Sequence, residues 1–108
     1  RKEIFTFALI PNRLTAKDVP AVIRVANQDD VIMAMAAATD DANAQAVEFL
    51  LANMSSRMAE NLREEIREKG AIKRADGEMA MNAIVNAIRQ LQEQGDIQLI
   101  IEGSDEDD

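Results

Sequence analysis

The chain has 108 residues, 47% of them hydrophobic and 30% charged, with a net charge of −8. That length holds one domain with a real core, and the balance is that of a globular protein rather than a disordered one. Histidine, cysteine, tyrosine and tryptophan are all absent, which removes the commonest general base, the best nucleophile, disulfides and the usual transition-metal ligands.

Catalysis would have to run on carboxylates, lysine or serine alone, so the expectation is a protein that is not an enzyme and uses no cofactor or metal. The acidic balance argues against nucleic acid, which needs a basic surface. No apolar run approaches the roughly 18 residues of a membrane span, so direct membrane insertion is not expected. The opening RKEIFTFALIP is too short and too interrupted for a signal peptide. A start at Arg1 rather than methionine reads as a fragment of something longer.

In chain order, TAKD offers Thr15 as a helix N-cap with Asp18 three residues on, a relative of the capping box. Val19, Val22, Ile23 and Val25 follow on helical spacing, with Pro20 in the first turns where its missing donor does little harm. Asp29 or Asp30 is expected to cap the next helix, VIMAMAAA, which is apolar nearly all round and should be buried. Thr39 is expected to cap a third, with Asp40 and Asp41 in its first turn and a stripe of Ala42, Ala46, Phe49 and Leu50.

Ser55 should cap the charged helix NMSSRMAENLREEIREK, and Gly70 should end it. A last long helix is expected from about Asp76 to Gln94, with a stripe of Met81, Ile84, Val85, Ile88 and Leu91 and a stop at Gly95. IQLII then reads as an extended segment packing on the helices, since a lone strand has no partner here. Met33, Met35, Met54, Met58, Met79 and Met81 read mostly as gap-fillers on apolar faces. The tail EGSDEDD holds five acids, so removing its charge leaves −3 for the rest. It reads as a solvated, disordered end.

In the charged helix, at 100° per residue, Met54, Met58, Ala59, Leu62 and Ile66 cover an arc of about 140° and form the buried face. Arg57, Glu60, Glu64, Arg67 and Glu68 fall opposite, with Glu65 near the edge of the apolar arc. The spacings Arg57–Glu60, Glu60–Arg63, Glu64–Arg67 and Glu65–Lys69 allow ion pairs worth roughly 0.2–0.5 kcal/mol each. Glu60, Glu64 and Glu68 instead stack like charges, leaving an acidic ridge that fits a charged partner. An ordinary solvated face explains the same pattern without any partner. Glu64 and Glu65 point about 100° apart, so they do not converge as a catalytic carboxylate pair.

Three blocks, IFTF at 4–7, NMSSRMAENLREEIREKGAIK at 53–73 and IVNAIRQLQEQGDIQLI at 84–100, are together similar to the C-terminal domain of the flagellar motor switch protein FliG. The similarity spans the chain apart from the acidic tail. It implies an all-α, compact domain of five to six helices, of the armadillo-like superhelical kind, with an extended C-terminal segment. Residues 1–13 would hold the hinge motif and a lead-in segment, 14–101 the torque-generating subdomain, and 102–108 the tail.

The function the resemblance implies is that of a rotor component of the motor's C-ring, on the cytoplasmic face of the inner membrane. Its charged helix would meet the cytoplasmic loop of the stator protein MotA, and its other partners would be FliM and neighbouring FliG copies. Carried over by position, Arg57, Glu64, Glu65 and Lys73 would be the stator-facing charges, while Ile4, Phe5, Thr6 and Phe7 would form the hinge. Glu60 and Glu68 extend the same ridge on the geometry of the helix alone.

The chain also departs from the family pattern. A family lysine falls on Ala36 of MAMAAA, the stretch from there to Asn53 is about four residues longer, the turn Gly-Pro is Gly70–Ala71, and the hinge methionine is Ile4. Two other readings fit the residues. One is a non-catalytic scaffold module whose charged face is only solvated, which would show a large exposed apolar patch. The other is a cation- or ligand-binding regulatory domain resting on the tail.

Overall fold

The computed structural model describes residues 5–100, which form six helices and two short 3-10 turns, with no strand among the described residues. The all-helical expectation is borne out. A 3-10 turn at Phe7–Leu9 leads into α1 (Ile10–Arg13), and a second at Ala16–Asp18 leads into α2 (Val19–Val25). Then come α3 (Gln28–Ala37), α4 (Asp41–Ala52), α5 (Ser56–Lys69) and α6 (Arg74–Glu93).

Helix α3 is the hub. It has few charges, buries Val31, Ile32, Ala34 and Met35, and packs most extensively on α6 and then on α5. The stripe foreseen on α6 lies in the core through Ile84, Val85, Ile88 and Leu91, with Met81 half-buried beside them. Where α3 and α6 cross, Gly77 faces Ala37 so closely that an added Cβ would lie 2.4 Å from the alanine's. The segment before α2 is more deeply buried than its place ahead of the helical pattern indicates. Phe7, Ile10 and Leu14 all belong to the core and anchor α4 from below.

Helix ends follow local chemistry, with three corrections. Asn27, not Asp29 or Asp30, caps α3, its Oδ1 accepting from the amides of Asp29 (2.8 Å) and Asp30 (3.3 Å). The two aspartates sit instead in the first turn, where the macrodipole favours them. Asp40, not Thr39, caps α4, accepting from the Asn43 amide at 3.3 Å and from its side chain at 2.7 Å. Thr15 caps no backbone amide. Its hydroxyl donates to Asp18 at 2.9 Å across the 3-10 turn.

Ser55 does cap α5, accepting from Met58 N at 3.2 Å, and Gly70 ends it at φ +72°. Gly95, at φ +83°, closes α6 in a Schellman arrangement: Asp96 N–H donates to Leu91 O and Gly95 N–H to Gln92 O. The last helix begins at Arg74, two residues earlier than expected. After it, residues 97–100 run without helix or strand, Ile97 buried and Leu99 half-buried on the helices, as anticipated.

Two residues assigned to apolar stripes, and one of the methionines read mostly as gap-fillers, are solvated. Val25 at the end of α2 is 54% exposed, Ala42 lies in the exposed first turn of α4, and Met79 is 70% exposed. Ala42 is replaced on the buried face by Val47 and Leu51. Val25 and Ala42 sit near helix ends, where the neighbouring helix no longer covers the full arc. Met79, between buried Gly77 and Ala80 in sequence, lies on the outward side of α6. Ile4, the first residue of the hinge motif, and the acids of 102–108 lie outside the described residues.

Candidate functional site: the exposed face of α5

Helix α5 is held to the domain by a narrow seam. Leu62 is its one buried residue at 1% exposure, Ala59 and Ile66 are half-buried against the core, and Met58 is 37% exposed. Met54, just before the helix, is half-buried on the same core. The apolar arc is thus real but shallow, and it rests on α3. Everything else on the helix faces water.

Arg57, Glu60, Glu64, Glu65 and Glu68 are all exposed, as is Lys73 in the turn before α6. Glu60, Glu64 and Glu68 follow one another at four-residue intervals, so the acidic ridge stands on the outward face. Lys73 occupies the N-cap position of α6 without any side-chain capping bond. Of the four ion pairs that spacing allowed, one forms among the described residues: Arg67 Nη2 lies 2.5 Å from Glu64 Oε1. Arg57–Glu60, Glu60–Arg63 and Glu65–Lys69 do not.

Arg63 explains one of these losses. It lies at the border between the buried and solvated faces of α5, on the side towards α4, and its guanidinium reaches Glu48 at 3.2 Å. One guanidinium that bridges two helices is withdrawn from Glu60, which stays free to meet outside charge. Helical spacing cannot reveal that bridge, because Glu48 is on another helix. The bridge ties α5, which has a single buried residue, to its neighbour. Both partners are about half exposed or more, so its worth is at most about 1 kcal/mol.

Beside the C-terminal end of α5, Ala36 and Ala37 of α3, Asp40 and Asn43 of α4, Ile72 and the start of α6 line an open hollow of about 550 Å³. Ala36 sits in its wall. Arg74 and Glu78, paired at 3.4 Å, flank it. No group of three or more acids among the described residues is arranged to hold a metal ion. No helix there is long and apolar enough to cross a membrane.

The family model for the FliG C-terminal domain matches residues 1–99. The chain belongs to that family. Among its relatives, the Helicobacter pylori flagellar motor switch protein FliG is 34% identical over 107 residues, 99% of this chain and 29% of that protein. The Bacillus subtilis protein of the same name is 31% identical over 106 residues, 98% of this chain and 30% of the relative. A crystal structure of an H. pylori FliG fragment superposes with a TM-score of 0.75 at 34% identity, covering 87% of this chain and 39% of the other. The chain spans about 30% of the length of these curated relatives. At this identity the family likeness extends to sequence as well as fold.

Proposed function

We propose that this domain is a rotor element of a flagellar motor switch and that the outward face of α5 is where it exchanges force with the stator. The observation that carries the reading is the exposed ridge of Glu60, Glu64 and Glu68, flanked by Arg57, on a helix fixed by one buried leucine. The family supplies the context, since the relatives are named flagellar motor switch proteins. Arg57, Glu64, Glu65 and Lys73 are the charges assigned to the stator, with Glu60 and Glu68 extending the ridge. The cytoplasmic loop of MotA is the assigned counterpart. FliM and neighbouring copies are assigned to other faces, and the cytoplasmic side of the inner membrane is the assigned location.

The physics of the task supports this division. A rotor surface is gripped and released repeatedly, so each contact has to be weak, quickly formed and steered by charge. Exposed ion pairs of at most about 1 kcal/mol meet that requirement. An extensive apolar contact would lower the off-rate and stall the cycle. The domain needs no catalytic group for this work, in keeping with its residue inventory.

The scaffold reading gains no support from exposed apolar residues. Among the described residues, Val25, Met58 and Met79 lie on three different helices and Ile100 in the segment after α6, and single exposed apolar side chains are ordinary. The test is Glu64→Lys with Glu65→Lys in the full-length protein, with filaments counted and swimming speed measured. Normal filament numbers with slow or absent swimming are expected, together with partial recovery when basic residues of the stator loop are reversed in sign. Normal swimming would overturn the assignment. Loss of filaments would move the face to assembly and favour the scaffold.

A further inference from the structure

Arg13 joins the two ends of the described chain. Its guanidinium carbon stands 5.7 Å from the centre of the Phe5 ring, and its Nε donates to Ile100 O at 2.7 Å. Its own backbone carbonyl accepts from Ile100 N–H at 2.6 Å. One half-buried side chain therefore touches the first described residue and, 87 positions on in sequence, the last.

The segment it captures is otherwise lightly held. Residues 97–100 leave α6 through Gly95, with Ile97 buried in the core, while Ile100 is 43% exposed. Between those points a hollow of about 460 Å³ lies beneath the segment, lined by Thr15, Lys17 and Asp18 on its far side. Beyond the half-buried Leu99, the hydrogen bonds with Arg13 fasten the outer end. Phe5 is likewise half-buried rather than locked, in contrast to Phe7 at 4% exposure.

We infer that Arg13 is a clasp that couples the segment ahead of α1 to the segment after α6, so that displacing Phe5 loosens residues 98–100. Its guanidinium serves both sides at once: the ring face holds the plane in place, and that placement aims Nε at the carbonyl of Ile100. With the ring gone, the guanidinium samples other rotamers and the carbonyl loses its charged donor. The mechanical use of the clasp rests on the hinge reading of Phe5, Thr6 and Phe7. Reorientation there would be felt at the C-terminal end, where the acidic run 102–108 follows in sequence, without passing through α5. The coupling itself does not depend on that reading.

Amide hydrogen exchange on the chain, read residue by residue by NMR, tests it. Phe5→Leu keeps apolar bulk and removes the ring. It is expected to speed exchange at Ile100 by about two- to fivefold, the factor that corresponds to an exposed cation–π contact of about 0.5–1 kcal/mol, with α6 amides unchanged. Arg13→Gln should speed it at least as much, and Phe5→Leu should then add nothing. An unchanged Ile100 rate in Phe5→Leu, or the same added factor in the Arg13→Gln background, would overturn the coupling. So would an equal loss of protection in α6, which would trace the effect to global unfolding. Rotation bias in full-length protein carrying Arg13→Gln is a separate readout. An unaltered bias alongside the expected exchange pattern would refute the hinge use and leave the clasp standing.

Discussion

Gly77 makes the crossing of α3 over α6 possible, and replacing it with alanine is expected to change sign with its surroundings. A methyl group at this position would lie 2.4 Å from Ala37 Cβ, whereas carbon pairs attract at about 3.5–4.0 Å. Ala37 Cβ is fixed to the α3 backbone and has no rotamer to escape into, so the helices themselves must part by about 1 Å. Overpacking of this kind costs typically 1–3 kcal/mol, and the rigid neighbour places it in the upper half of that range. Alanine in place of glycine within a helix returns about 0.8–1.0 kcal/mol. Gly77→Ala should therefore destabilise the domain by about 1–2 kcal/mol, or a melting point lower by about 4–8 °C per kcal/mol for a domain near this size. With Ala37→Gly the nearest remaining neighbours of the new methyl are Ile72 Cγ2 at 3.7 Å and the Cα of residue 37 at 3.9 Å, both ordinary contacts. In that background only the propensity gain survives, and Gly77→Ala should stabilise by up to about 1 kcal/mol. Urea unfolding followed by far-UV circular dichroism, with m-values compared for constancy, measures all four proteins of the cycle. Stabilisation by Gly77→Ala in the native background, or the same sign in both, would refute the steric account.

Two other outcomes follow from single side chains. Leu62→Ala removes the one buried residue of α5 and should cost about 2–5 kcal/mol, with α5 amides losing exchange protection before those of α6. Equal loss in both helices would mean that α5 does not detach separately. Asp40 is held below the usual carboxylate range, first by the Asn43 side-chain amide and then by the Asn43 backbone N–H. Its folded form thus binds a proton less readily than the unfolded chain. The resulting stability is present above the ordinary aspartate pKa of about 3.9 and is lost as pH falls through the lower folded value. Asp40→Asn keeps a competent cap and should flatten that part of the acid unfolding curve. A curve of unchanged slope would show that the titration matters little.

The fold was legible where periodicity carries the information. The stripes of α3 and α6 are long, nearly free of charge on one side, and appear in the core as the spacing demands. Ser55, Gly70 and Gly95 were readable because each performs a role with few chemical alternatives. The misplaced caps have a common cause: Asn27 with Asp29 and Asp30, and Thr39 with Asp40 and Asp41, are runs of competent capping residues. Only the entry angle of the backbone decides which one acts. The early burial of Phe7 and Ile10 escaped because a 3-10 turn and a four-residue helix are too short to show a period. In the candidate site, the exposed ridge and its Glu64–Arg67 pair were legible, whereas the other three spacings form no pair among the described residues. Arg63 chose Glu48, a partner 15 residues away whose proximity exists only once the chain has turned between α4 and α5.

That choice bears on how the α5 face can work. Glu64 already has a cation in Arg67, whereas Glu65 and Glu60 have none among the described residues. The Arg67–Glu64 pair is exposed at both ends and is worth roughly 0.2–0.5 kcal/mol. Thermal motion opens such a pair readily, and an arriving cation can take Arg67's place at little net cost. Meanwhile the displaced arginine becomes available to a partner's acid. Glu60 and Glu65 offer their charge without any such exchange, so they extend the attraction outward before contact is made. On the proposed stator reading, a face built this way would trade weak internal pairs for weak external ones. It would gain steering without gaining residence time, while the seam of Leu62, Ala59 and Ile66 keeps α5 on the domain.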